Sequence, residues 1–171
     1  GNFAAAAALL ALALVENPGD EYLLYMYSEA LYNLGRHDEA KAALVEILQQ
    51  MPTHERFFVG GPSDIRQRLA RLALGEVLRV DRALCESESI LLGVVDDFPA
   101  DPTAWYFLGR VYIDGREWNK LARVLARLAE CEGGAIFWRL LTASGELARG
   151  DYRASEQTLS ELIGMASGMV L

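Results

Sequence analysis

The side chains of this sequence that could do chemistry are few and widely spaced. His37 lies in the segment HDEA and His54 precedes Glu55, and neither has a second histidine four residues away, as a zinc-protease motif requires. No motif brings a serine, a histidine and an aspartate together, or a cysteine and a histidine. We therefore expect no cofactor, no metal site and no enzyme activity.

Two further patterns fail on spacing. Gly60 and Gly61 lack the separated glycine and the GK[ST] sequence of a phosphate-binding loop. Glu86 and Glu88 are two residues apart, so their carboxylates would diverge on a helix. Neither pattern predicts a catalytic site.

The two cysteines, Cys85 and Cys131, form no CxxC pair. This usage predicts two half-buried free thiols in a reducing compartment rather than a disulfide framework or a zinc site. We expect a cytoplasmic protein.

Charge and composition exclude several classes of protein. The chain has 171 residues, and its hydrophobic fraction of 52% is too high for a disordered segment. Its formal net charge is -8, whereas binding to the nucleic-acid backbone needs a surplus of lysine and arginine. We predict no nucleic-acid partner.

The apolar run from Phe3 to Val15 is shorter than the roughly 20 residues of a spanning helix, and no basic stretch precedes it as in a signal peptide. Alanine favours helix, and Pro18 with Gly19 ends it. The run therefore predicts a helix of the folded protein, without membrane insertion, that exposes an apolar flank.

An internal repeat of about 34 residues organises the chain. Four positions of the opening segment recur one period later, namely Gly1, Ala6, Leu10 and Pro18 as Gly35, Ala40, Leu44 and Pro52. The same step relates Gly75 to Gly109 and Ala143, and Leu91 to Leu125 and Leu159. Ser28 and Gly75 are separated by more than one period, so one insertion interrupts the array.

Within one period, Trp105, Leu108, Gly109 and Tyr112 resemble the W-x2-L-G-x2-Y sequence of the tetratricopeptide repeat. The resemblance covers all of the chain except the insertion. It implies an all-α fold in which antiparallel helix hairpins stack into a right-handed superhelix, an α-solenoid with one unpaired N-terminal helix and four hairpins. Small residues such as Gly109 let the two helices of a hairpin approach closely.

The repeat predicts both helices and boundaries. We expect helices at about 2–16, 20–34, 37–50, 63–80, 83–97, 102–114, 117–131, 135–148 and 152–166. The single array consists of a half repeat at 1–20 and repeats at about 21–54, 68–101, 102–135 and 136–171, with the insertion at 55–67.

The resemblance also implies a concave face lined by the first helix of each repeat. Its groove positions carry over to Tyr22, Tyr25, Glu29, Tyr32, Asn33, Glu76, Arg79, Tyr106 and Arg110. Tyrosine offers a large contact area and a hydroxyl that can stay hydrated, which suits a mixed apolar and polar peptide. The alternative is that this aromatic stripe packs between repeats.

The inserted sequence ERFFVGGPSDIRQ contains an apolar cluster of Phe57, Phe58 and Val59. This cluster either packs on the neighbouring hairpins or acts as a docking loop. Ser63 and Asp64 have the residue types of an N-terminal cap for the next helix.

Three functions remain open. The chain is a scaffold that binds a peptide or helical segment of a partner protein, or a helical appendage of a larger enzyme such as a bacterial glycosyltransferase, or a module that self-associates through its N-terminal helix. The beginning in mid-repeat leads us to expect a piece of a longer chain, and the bacterial appendages of this kind leave a bacterial origin open.

Overall fold

The structure, a computed structural model, describes residues 2–50 and 62–168, and the regular secondary structure within these ranges is entirely α-helical. Its helices are α1 (Phe3–Glu16), α2 (Glu21–Asn33), α3 (His37–Gln50), α4 (Pro62–Val80), α5 (Leu84–Asp97), α6 (Pro102–Asp114), α7 (Trp118–Glu130), α8 (Gly134–Arg149) and α9 (Tyr152–Gly168). Each helix bound lies within two residues of its prediction. The all-α prediction is confirmed.

Local sequence accounts for where these helices begin and end. The Asp20 carboxylate accepts a hydrogen bond from the Leu23 N–H at 2.9 Å, and the Asp101 carboxylate caps α6 at Thr103 in the same way. Helix α4 begins at Pro62, and a proline is tolerated in the first turn because its missing N–H would have no partner there. Gly35 follows α2 with φ of 73°, a backbone conformation that favours glycine.

The helices form two compact units, Gly1–Ile90 and Leu91–Leu171, whose boundary falls within α5. In the first unit, α2 packs against α1, α3 and α4, and α3 packs against α4. Leu31, Leu44, Ile47 and Leu78 are almost completely buried in its core. These residues hold α2 and α4 side by side.

In the second unit, α6 packs on α7 and α8, and α8 packs on α7 and α9. Leu108, Leu128 and Leu141 are fully buried between these helices. A Cβ atom added to Gly109 would meet the Leu141 side chain and would lie 3.2 Å from Val124. Gly109 therefore lets α6 approach α8 most closely, and the predicted close approach within the hairpin is seen at Val124 on α7.

Buried serines join the two helices of a hairpin in both units. In the first unit the Ser87 hydroxyl donates to the carbonyl oxygen of Gly75 at 2.6 Å, and in the second the Ser155 hydroxyl donates to that of Ala143 at 2.9 Å. Both bonds span 12 residues. A serine at this position of the second helix therefore gives its buried hydroxyl a hydrogen-bond acceptor, the carbonyl oxygen of the facing helix.

No helix in the described ranges is both long and apolar enough to cross a membrane. Phe57, Phe58 and Val59, the predicted docking cluster, lie outside the described residues. Cys85 and Cys131 are free thiols, but the prediction of two half-buried side chains is wrong for Cys85, which is exposed.

Candidate partner-binding surfaces

One candidate surface follows α2, the first helix of the α2–α3 hairpin in the first unit. The α2 residues Tyr22, Tyr25, Glu29, Tyr32 and Asn33 are separated by three, four, three and one positions, which places them along one side of the helix. The Tyr22 side chain is 68% exposed. Glu29 is held in place, because it accepts a hydrogen bond from the Tyr25 hydroxyl at 3.3 Å and its carbonyl oxygen accepts one from the Asn33 amide at 2.7 Å.

The environment of Tyr25 strongly favours its neutral form. Burial raises the pKa of Tyr25 to about 12, and the negative charge of Glu29 and the hydrogen bond to that carboxylate act in the same direction. Tyr25 therefore remains a hydrogen-bond donor to Glu29 across the physiological pH range.

Two contacts bridge α2 to α4, the next first helix along the chain. Arg66 donates to the Glu21 carboxylate at 2.6 Å, and the Tyr32 hydroxyl donates to Glu76 Oε1 at 3.1 Å. The sequence numbers increase in the same direction on both helices, so α2 and α4 run parallel. With a rise of about 1.5 Å per residue, the two bridges lie about 16 Å apart along the helices.

A mostly buried ion pair lies beneath the Tyr32 bridge. Arg79 donates from Nε and Nη2 to the two carboxylate oxygens of Glu76, each at 2.9 Å, and the two side chains are only 13% and 11% exposed. This paired geometry is the strong form of an arginine–carboxylate contact. The Glu76 carboxylate thus receives hydrogen bonds from α2 and α4 together and fixes their relative position.

His37 supports the same bridge from the start of α3. Its Nδ1 atom lies 2.8 Å from the carboxylate of Asp81, and its ring stacks on that of Tyr32 with a centroid distance of 5.5 Å. The His37 side chain is only 25% exposed and contacts both neighbours.

The second unit carries a separate aromatic cluster on α6 and α8. The rings of Tyr106 and Phe137 have centroids 5.2 Å apart, and Phe107 lies beside Tyr106 at 5.8 Å. The Arg110 guanidinium lies 5.8 Å from the Tyr106 ring centroid and 5.9 Å from that of Phe107, within the range of a cation–π contact. All four side chains are half-buried.

The structure thus distributes the predicted residues over two surfaces. The α2–α4 surface consists of Tyr22, Tyr25, Glu29, Tyr32, Asn33, Glu76 and Arg79, and the α6–α8 surface consists of Tyr106, Phe107, Arg110 and Phe137. Tyr32 also contacts α4, and Tyr106 also contacts α8, so both tyrosines pack between consecutive first helices. This packing agrees with the alternative interpretation of the aromatic stripe for these two residues. Arg66, His37 and Phe107 were not among the predicted site residues.

The second unit also contains a cavity of about 760 Å³ at the helix ends near Pro99, away from the α6–α8 surface. Trp105 donates from Nε1 to the Pro99 carbonyl oxygen at 2.8 Å, and Cys131 lines the same cavity. Burial raises the pKa of the Cys131 thiol, which makes it a weaker nucleophile. The described part of the chain holds no group of three or more histidine, cysteine or acidic side chains that could bind a metal ion.

Comparison with known proteins agrees with this description. Residues 1–58 match the family model of the tetratricopeptide repeat. No curated protein matches the chain in sequence.

Solved structures share the fold over nearly the whole chain. One, described as MamA 41-end from Desulfovibrio magneticus RS-1, is 20% identical with a TM-score of 0.69 and covers 98% of this chain and 88% of its own. Another, described as a MamA RS-1 ArsTM double mutant, is also 20% identical with a TM-score of 0.67 and covers 99% and 88%. The predicted tetratricopeptide resemblance and helical-repeat fold are confirmed.

Proposed function

We propose that this chain is a protein-interaction scaffold whose first helices bind a peptide or a helical segment of a partner protein. The observation that supports this proposal most strongly is the exposed Tyr22 ring, which lies on the same side of α2 as a network of fixed polar groups. An exposed aromatic side chain on a rigid helix is the kind of residue that contributes most to binding energy at protein interfaces.

The internal bonds of the α2–α4 surface favour binding because they reduce its entropic cost. Glu76 and Arg79 are already paired, and Tyr25 is already bonded to Glu29, so a partner would not have to order these side chains. Glu29 and Asn33 are exposed and offer polar contacts beside the Tyr22 ring. This combination suits a segment with alternating apolar and polar side chains.

The α6–α8 surface offers a second set of contacts in its own unit. The half-buried rings of Tyr106, Phe107 and Phe137 would accept an apolar side chain of the partner, and Arg110 would provide a positive charge beside them. These residues would hold the partner by non-covalent contacts alone.

The test begins with peptides selected from a random display library on the immobilised chain, whose affinities are then measured by isothermal titration calorimetry. Tyr22→Ala should weaken a selected peptide by tenfold or more if that peptide occupies the α2–α4 surface. Peptides that select the α6–α8 surface should respond in the same way to Tyr106→Ala.

Tyr152 provides a matched control, because this tyrosine is 70% exposed on α9, a second helix. Tyr152→Ala should leave the affinities unchanged. Selected peptides that lose affinity with Tyr152→Ala, and retain it with both Tyr22→Ala and Tyr106→Ala, would contradict the assignment of binding to the first helices.

A further inference from the structure

Each turn that joins a first helix to its second helix contains one residue in the left-handed backbone conformation. These residues are Gly35, Arg82, Arg116 and Gly150, and their φ angles are 73°, 65°, 56° and 86°. One repeat length relates Arg82 to Arg116 and Arg116 to Gly150. The same backbone geometry is therefore made with glycine in two turns and with arginine in the other two.

Arginine at such a position has a cost that glycine avoids. When φ is positive, the Cβ atom of an ordinary residue is crowded against its own backbone, whereas glycine has no Cβ atom. The Arg116 side chain is exposed and forms no hydrogen bond, ion pair or ring contact with any residue that the structure describes. Contacts within the described chain therefore do not compensate for the strain at Arg116. Backbone strain of this kind concentrates at functional positions.

A second exposed arginine, Arg149, lies close to Arg116 in the same unit. The Trp118 N–H donates to the Arg116 carbonyl oxygen at 3.0 Å, and the Arg149 guanidinium lies 4.5 Å from the centroid of the Trp118 ring. Stacking on an aromatic ring orients a guanidinium group and leaves the N–H groups at its edge available to an acceptor. Within the described ranges the Arg149 guanidinium has no hydrogen-bond acceptor. Trp118 therefore holds a second arginine beside the turn that contains Arg116.

The chemistry of these side chains indicates an oxyanion as the ligand, since arginine donors match carboxylate and phosphate oxygens. Asp114 and Glu117 flank Arg116 in sequence, so the turn itself is not strongly basic. A nucleic-acid strand brings a negative charge with every nucleotide and would be repelled by these groups and by the net charge of -8. A protein segment can present one or two carboxylates to the arginines alone. The charge pattern therefore favours an acidic protein segment.

We propose that Arg116 and Arg149 bind a segment of a partner protein that carries aspartate or glutamate side chains. Each guanidinium group donates N–H bonds to a carboxylate of that segment, and the Trp118 ring keeps Arg149 in position. The site lies beyond the end of α6, which continues for about 12 Å past Tyr106. It is therefore separate from the α6–α8 surface.

The probe is a fluorescent synthetic peptide in which glutamate alternates with glycine, and anisotropy measures its affinity for the full chain at low ionic strength. Arg116→Gln and Arg149→Gln should each weaken binding by about fivefold, as the loss of one exposed charge pair predicts. The double variant should weaken it by more than about tenfold. Arg123→Gln is the matched control, because Arg123 is exposed on α7 and the change removes the same charge. This control should alter the affinity by less than about twofold.

Arg116→Gly adds a measurement that separates binding from stability. The change removes the charge and the backbone strain together, so it should weaken the peptide as Arg116→Gln does and raise the midpoint of urea unfolding. A lower midpoint would show that Arg116 stabilises the fold, and would contradict the inference from strain.

The binding data would overturn the proposal in any of five ways. No measurable affinity of the unmodified chain for the peptide would contradict it, and equal affinity of the Arg116→Gln/Arg149→Gln variant would place the peptide elsewhere. An equal loss with Arg123→Gln would show a general attraction between charges. Undiminished binding of a peptide with glutamine in place of glutamate would remove the role of the carboxylates. Tighter binding of a single-stranded oligonucleotide that depends on the same two arginines would make phosphate the ligand.

Discussion

Replacing Glu76 with alanine tests the network that joins α2 and α4. The change removes a carboxylate that accepts hydrogen bonds from Tyr32 and, through both of its oxygens, from Arg79. Removing one partner of a buried ion pair destabilises a protein by about 3–5 kcal/mol. The two side chains retain 11% and 13% exposure, so some solvation returns, and we expect a loss of about 3 kcal/mol.

Urea denaturation followed by circular dichroism measures this loss. The pair Arg127 and Glu130 has the same spacing of three residues, but its side chains are 63% and 68% exposed. Glu130→Ala should therefore cost about 0.5 kcal/mol or less. If Glu76→Ala costs no more than Glu130→Ala, solvent screens the Glu76–Arg79 pair and the network does not fix α2 against α4.

A double-mutant cycle identifies the source of the loss. In the Arg79→Ala background, Glu76→Ala should cost at least about 1 kcal/mol less than in the unmodified chain, because the two residues contact each other directly. Additive losses would show that the two side chains act independently.

Two further predictions concern packing and ionisation. Gly109→Ala should destabilise the chain by about 1–2 kcal/mol in the same urea assay, because the added methyl group meets the buried Leu141 side chain. Gly164 lies at an exposed helical position with open space around it, so Gly164→Ala should be neutral or stabilising by up to about 1 kcal/mol. Equal effects of the two substitutions would contradict the close approach at Gly109. In the ultraviolet titration of the phenolate absorbance, the difference between the unmodified chain and Tyr25→Phe should show a midpoint at about pH 12. Because this pKa is raised from 10.0, the stability that the Tyr25 proton contributes is complete below pH 10 and is lost as the pH rises towards 12. Glu29→Gln should lower the midpoint only in part, since burial is the larger cause, and a midpoint of 10 in the unmodified chain would contradict the described environment of Tyr25.

Features that repeat along the chain could be predicted from the sequence. The repeat period, the Pro18 and Gly19 stop and the small residue Gly109 are local or periodic signals, and they located the helices to within two residues. The exposed apolar flank of α1 also followed from its composition, as Leu9 shows.

Contacts that depend on the register between distant helices could not be predicted in this way. Arg66 meets Glu21 and His37 meets Asp81 across 45 and 44 residues, a separation that includes most or all of the insertion. The pairing depends on how α4 packs beside α2 and α3, which no spacing within one helix indicates. The same packing positions Tyr32 against Glu76, a contact that groove positions alone do not specify.

In the proposed function, partners bind to the first helices. The most direct measurement is the amide chemical-shift map of the isotope-labelled chain, recorded by nuclear magnetic resonance with a display-selected peptide. We predict that the largest shifts fall on the first helices α2 and α4, or α6 and α8, with Tyr22 or Tyr106 among them. Shifts confined to the second helices α1, α3, α5, α7 and α9 would contradict binding at the first helices.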